Sequence, residues 1–117
     1  MEEPRIKISC KNKIKVVELL DEKILDEATL ADLTESLFSV VIDEEIPKIV
    51  INFTHVKQMS SSMLGTLIRL NKRVAEKGGE LKLCGIIPML YDIFVLTKIN
   101  KLFEIYHDER TAVNSFE

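Results

Sequence analysis

Apolar and polar positions alternate from the start of the chain. Ile6, Ile8 and Cys10 share one side of an extended segment, Lys11-Asn12-Lys13 interrupts it, and Ile14, Val16 and Leu19 resume it, which predicts two strands of an edge hairpin. From Asp26 the interval lengthens. Ala28, Leu30, Leu33, Leu37, Val40 and Val41 fall at helical spacing, and Asp26 stands where an N-cap carboxylate accepts from the first free amides. Asp43-Glu44-Glu45 and Pro47 end that helix, and "KIVINF" (Lys48 to Phe53) is a nearly unbroken apolar run of the kind buried on both faces of a sheet. A second helix is predicted on the face of Met63, Leu64, Leu67, Ile68, Leu70, Val74 and Ala75, with Gly78-Gly79 able to take the positive φ of a helix end. "ELKLCG" predicts another strand, Pro88 opens a helix carrying Met89, Leu90, Ile93, Phe94 and Leu96, Leu102 to Tyr106 predicts a last strand, and a short helix starts at Asp108. Strands and helices alternating through short connections define an α/β domain whose crossovers cover both faces of much of the sheet.

Composition narrows the class. The 117 residues suit one domain spanning 1–117, with 46% hydrophobic and 30% charged residues. A net charge of -3 argues against nucleic acid as a direct partner. No apolar run approaches the roughly 20 residues that span a bilayer, so membrane insertion is not expected. The acidic start "MEEPRIKISC" lacks the apolar segment of a secretory signal, which favours a cytoplasmic location. Cys10 and Cys84 lie far apart without a CxxC spacing and read as small core thiols; neither a metal nor another cofactor is called for.

The stretch "MSSSMLG" (Met59 to Gly65) then stands out, because it sets three hydroxyls between the central strand and the second helix. In open α/β sheets, sites are built beyond the carboxyl ends of strands, and a helix amino end offers free amides and partial positive charge to an anion. One serine suffices as a cap, which leaves two to explain.

The segment "IVINFTHVKQMSSSMLGTLIRLNKRVAEKGGELKLCGI", with the proline-started helix and "INKLFEIY" after it, resembles the STAS domain of bacterial anti-sigma factor antagonists. That resemblance implies a mixed sheet of four to five strands with about four helices. It also implies a protein that binds a kinase-type anti-sigma factor, an anti-sigma factor serine kinase, and is switched off by phosphorylation, with a serine phosphatase as a further candidate partner. The family signature is Asp-Ser-Ser/Thr-Gly-Leu-Gly. Ser61 falls on its phosphorylated serine, Ser62 on the next Ser/Thr and second choice, Leu64 on the leucine and Gly65 on the second glycine; Asp26 matches the aspartate opening the first helix. Ser60 replaces the signature aspartate and Met63 its first glycine, removing a charge beside the acceptor and adding a side chain. The resemblance thus implies a partner surface of Asp26, Met59, Ser60, Ser61, Ser62, Met63 and Leu64. The alternative is a non-switching STAS interaction module of a scaffold or transport complex, with the serines as caps.

Other constellations carry less. No Gly-x-Ser-x-Gly elbow surrounds the serines and His55 and His107 are distant in sequence, so no catalytic residue is assigned and the chain is not read as an enzyme. Arg69, Lys72 and Arg73, at i, i+3 and i+4, form a solvated helix face able to meet an acidic partner or a phosphate.

Overall fold

The hairpin forms where the alternation breaks. In the computed structural model, which describes residues 4–116, β1 (Ile6–Lys11) and β2 (Ile14–Leu19) pair antiparallel from Ile6 opposite Leu19 to Lys11 opposite Ile14. Asn12 and Lys13 take φ of 54° and 68°, the left-handed pair that a two-residue hairpin turn needs to match strand twist. After β3 (Lys23–Ile24) comes α1 (Glu27–Asp43), then β4 (Lys48–Asn52), β5 (Gln58–Met59), α2 (Ser61–Glu76), β6 (Glu80–Cys84), α3 (Pro88–Leu96), β7 (Glu104–Tyr106) and α4 (Glu109–Asn114).

The main sheet has the order β1-β2-β4-β6-β7, antiparallel at the hairpin and parallel elsewhere. β4 is therefore an inner strand, and its side chains serve two cores. Ile49 and Ile51 join the larger one, which holds Leu33, Leu37, Val40 and Val41 of α1, Met63, Leu67, Leu70 and Val74 of α2, and Leu90 and Phe94 of α3. Val50 faces the other way, with Ile14, Val16, Cys84 and the α4 residues Ala112 and Val113. Three helices thus cover one face and α4 the other, and burial of these side chains is the main favourable term holding the layers together.

The α4 layer is pinned through Lys82, whose side chain is almost fully buried on β6. Its ammonium donates to the Ser115 carbonyl at 3.1 Å and hydroxyl at 2.8 Å, lies 3.3 Å from Glu104 Oε2, and sits over the Phe116 ring at 4.2 Å from the centroid. α2 ends as its glycines predict. Gly78, at φ 74°, donates to the Ala75 carbonyl and Gly79 to the Val74 carbonyl, both at 2.9 Å, satisfying two carbonyls the helix leaves open.

Three expectations change. Cys10 is not a core thiol: it lies on the edge strand β1, which has one neighbour and little above it, and it is exposed. Cys84 is buried as expected, and burial, then the nearby Glu109 and Asp108, push its thiol up to about 12, so it stays protonated at neutral pH. The last strand starts at Glu104 rather than Leu102, because Ile99–Lys101 forms a 3₁₀ turn in which the Leu102 amide bonds back to the Ile99 carbonyl at 2.9 Å. The short pair β3–β5, parallel through Lys23–Gln58 and Ile24–Met59, was not expected from two-residue segments without visible periodicity.

Candidate functional site

The small sheet β3–β5 brings two helix starts together. The Glu22 carbonyl accepts from the Lys57 and Gln58 amides at 2.8 and 3.1 Å, and the Ser60 amide donates to the Ile24 carbonyl at 2.8 Å. Two residues beyond Ile24 is Asp26, the N-cap of α1, and Ser60 is the N-cap of α2. Both helices therefore start at one edge of the molecule. They also finish together, since Lys77 beyond α2 donates to the Val41 and Ile42 carbonyls of α1 at 2.8 and 3.2 Å.

The two starts differ in their caps. Asp26 accepts from the Thr29 amide at 3.0 Å and the Thr29 hydroxyl at 2.7 Å, and these bonds, the hydroxyl first, hold its carboxyl below the usual range. Ser60 makes no side-chain cap bond, and α2 carries no acidic residue in its first turn. Of its first-turn amides, that of Met63 bonds back to the Ser60 carbonyl at 3.1 Å, while those of Ser61 and Ser62 have no acceptor among the described residues, so this end keeps two free donors and partial positive charge. Ser61 and Ser62 are exposed there, and Ser60 is half-buried.

The flanking residues fall on the other side of the helix. Met63 is fully buried, and Leu64 and Met59 are nearly so. Of the partner surface expected from the sequence, these three positions have their side chains packed in the larger core, where they anchor the helix start. Asp26, Ser60, Ser61 and Ser62 remain accessible. The apolar atoms near the serines come instead from Leu25, next to the α1 cap and 51% exposed, and Ile68, one face along α2 and 40% exposed. Sequence reading placed Ile68 on the apolar stripe, which is wide enough that its edge reaches solvent.

Between α1 and α2 lies a groove of about 710 Å³, lined on the α2 side by Ser62, Gly65, Thr66 and Arg69 and on the α1 side by Leu30, Thr34, Phe38 and the carboxylates Glu27 and Glu35. Thr66 is almost fully buried at its floor, 3.3 Å from the Thr34 hydroxyl. This groove was missed in the sequence. Its signal was Thr66, a polar residue at the helical spacing of Met63 and Leu70. Arg69, Lys72 and Arg73 are exposed, and among the described residues none forms an ion pair.

Neither histidine is arranged for nucleophilic catalysis with the serines. His55 Nε2 lies 2.5 Å from Glu18 Oε2, and no hydrogen bond joins a histidine to Ser60, Ser61 or Ser62. Among the described residues there is no group of three or more His, Cys, Asp or Glu able to hold a metal ion, and no helix long and apolar enough to cross a membrane.

The chain matches the family model of the STAS domain over residues 5–112. It is 27% identical over 89 residues to an anti-sigma F factor antagonist of Paenibacillus polymyxa, covering 72% of this chain and 76% of the relative. In structure it is similar to an anti-sigma-factor antagonist (STAS) domain protein from Planctomyces limnophilus, with a TM-score of 0.83 at 18% identity over 94% of this chain and 96% of the other. It is also similar to the phosphorylated form of the Bacillus cell fate determinant SpoIIAA, with a TM-score of 0.70 at 15% identity over 96% and 99% of the two chains.

Proposed function

The chain belongs to the STAS domain family, and from that premise we propose that it is an anti-sigma factor antagonist, binding a kinase-type anti-sigma factor through the amino end of α2 and released when Ser61 is phosphorylated. It acts by binding rather than by catalysis, and it works in the cytoplasm, where sigma factors meet polymerase. The observation that carries the reading is the state of this helix end: Ser61 is exposed in the first turn of a helix whose cap bond is unmade. Free amides and the helix dipole favour a phosphate there, whereas the same two negative charges inside a packed interface cost binding through desolvation and repulsion. The relative named an anti-sigma F factor antagonist and the neighbour solved in a phosphorylated form lend support. The contact face in this reading consists of Ser60, Ser61 and Ser62, the exposed Leu25 and Ile68, and the cations Arg69, Lys72 and Arg73, with Asp26 at its border.

The test is incubation with a kinase-type anti-sigma factor and ATP, then phosphate mapping and binding measurements. One phosphate is expected, on Ser61. Ser61→Ala should stay bound under phosphorylating conditions, and Ser61→Asp should bind at least about tenfold more weakly. A second reading, a non-switching module that joins a scaffold or transport complex, is favoured by Ser60 and Met63 standing where the family signature has aspartate and glycine. It takes first place if none of the serines receives phosphate and Ser61→Asp binds like the parent.

A further inference from the structure

The wall of α2 that carries Ser62 continues through Gly65 and Thr66 to Arg69, and of the three serines Ser62 alone lines the α1–α2 groove. Arg69 is folded onto this wall rather than extended into water. Its Nη2 donates to the Thr66 hydroxyl at 3.2 Å, and its Nη1 lies 3.6 Å from the point a Cβ would occupy on Gly65. The side chain therefore leans toward the amino end of α2, as helical side chains do, over backbone that Gly65 leaves bare. Among the described residues no carboxylate reaches ion-pair distance of it. An uncommitted guanidinium thus points back along its own helix toward a serine.

Reach supports a direct contact. Residues three apart on a helix have Cβ atoms about 5–6 Å apart, so Ser62 is the next step beyond the space over Gly65 that the guanidinium already occupies. A phosphoester lengthens the serine by two bonds; at the first turn no preceding turn blocks the Ser62 rotamer that swings it toward Gly65, and a rotamer change of Arg69 closes the remainder. Glu27 and Glu35 on the opposite wall act against a phosphate, but both are exposed and their fields are weakened by water, whereas an Arg–phosphate contact is short, charge-assisted and bidentate.

We propose that Ser62 and Arg69 form a second phosphate site, in which phosphate on Ser62 is received by the Arg69 guanidinium and held in the α1–α2 groove. The inference rests on the reading of this helix start as a phosphorylation site and gives its two exposed serines different fates. Phosphate on Ser61 stays on the contact face; phosphate on Ser62, which borders both that face and the groove, turns off the face into the groove and takes Arg69 with it. The donor is ATP on a serine kinase. The bond from Ser62 Oγ to the γ-phosphorus forms as the bond from that phosphorus to the bridging oxygen breaks, ADP leaves, and the hydroxyl proton passes to the kinase's base.

The test installs phosphoserine during translation at position 61 or 62 of the whole chain, with Arg69 intact or as Arg69→Gln, and tracks the ³¹P resonance against pH. Both phosphates share the helix end and its dipole, and comparing each with its Arg69→Gln counterpart isolates the guanidinium from the groove carboxylates. The second ionisation of the Ser62 phosphate is expected about half a pH unit or more below that of the Ser61 phosphate. Arg69→Gln should bring it to the Ser61 value while leaving the Ser61 phosphate unmoved, and Arg69→Lys should restore part of the shift. A Ser62 phosphate that titrates alike in the parent and Arg69→Gln overturns the receiver role. For the acceptor role, Ser61→Ala treated with the anti-sigma factor kinase and ATP should carry phosphate on Ser62; its absence while the parent is modified on Ser61 overturns that half. The ³¹P arm needs neither kinase nor partner, so failure of the antagonist reading does not produce failure here.

Discussion

α1 and α2 begin side by side and run in the same direction, yet their amino ends are finished differently. At α1, Asp26 bonds the amide and hydroxyl of Thr29, and Glu27 adds a second negative charge to the first turn. At α2, the cap bond of Ser60 is absent, the first turn is free of acids, and the next two residues present exposed hydroxyls. One helix start is met by carboxylates of its own sequence, and the other, with only the Met63 amide bonded back to Ser60, leaves the Ser61 and Ser62 amides and its partial positive charge for something outside it. The α4 start repeats the first pattern, with Asp108 accepting from the Thr111 amide at 2.8 Å. Among these three, the unsatisfied end is the one on which the family signature falls.

The largest expected effect tests how firmly the open end is anchored. Met63 is fully buried in the core shared by α1, α2 and α3. Met63→Glu should cost more than about 3 kcal/mol, because an unpaired charge enters an apolar site, and should abolish or sharply lower the cooperative melt measured by circular dichroism. A melt within a few degrees of the parent would mean that the start of α2 can rotate Met63 outward, so that anchored and open sides exchange.

Removing the satisfied cap comes next. Asp26→Ala should lower the melting temperature by roughly 3 to 6 °C, the scale of one lost cap in a domain of this size. Acid should do the same gradually. The folded pKa of Asp26 is depressed, so its contribution is complete above the unfolded value of about 3.9 and is lost as pH falls through the lower folded value. Asp108, held down mainly by the Thr111 amide, and Glu109, held down mainly by Lys11, behave alike. Between pH 7 and 3, Asp26→Asn should lose less stability than the parent; an identical acid limb would show that this cap does not govern it.

The smallest effect sharpens the contrast. Ser60→Asp supplies the carboxylate that the family signature has and the charge that the α2 end lacks, and it should raise the melting temperature by about 1 to 4 °C. No change, measured beside the fall in Asp26→Ala, would mean that the two ends are already equally satisfied, by water at α2.

Much of this was legible because it is local. Helical spacing from Leu33 to Val41, the cap at Asp26, the double glycine after α2 and the position of the serines at a helix start all depend on residues within a turn or two of one another. The groove was not legible, since Thr34 and Thr66 are 32 residues apart and become neighbours only when their helices pack. Nor was the fold of Arg69 onto Gly65, which on a helical wheel looks like any solvated cation.

By itself the sequence determined the order and type of the main elements and the edge at which the serines lie, because backbone preference and hydrophobic period act over a few residues. Only the tertiary structure decided which way the signature faces. The stripe from Met63 to Val74 says that one side of α2 is apolar, but the rotation of the helix against the sheet is what sends Met63 and Leu64 inward and leaves Ser61, Ser62 and Ile68 outside. It likewise left Cys10 in solvent, since an alternating strand is buried only where another layer covers it, and β1 lies at the edge.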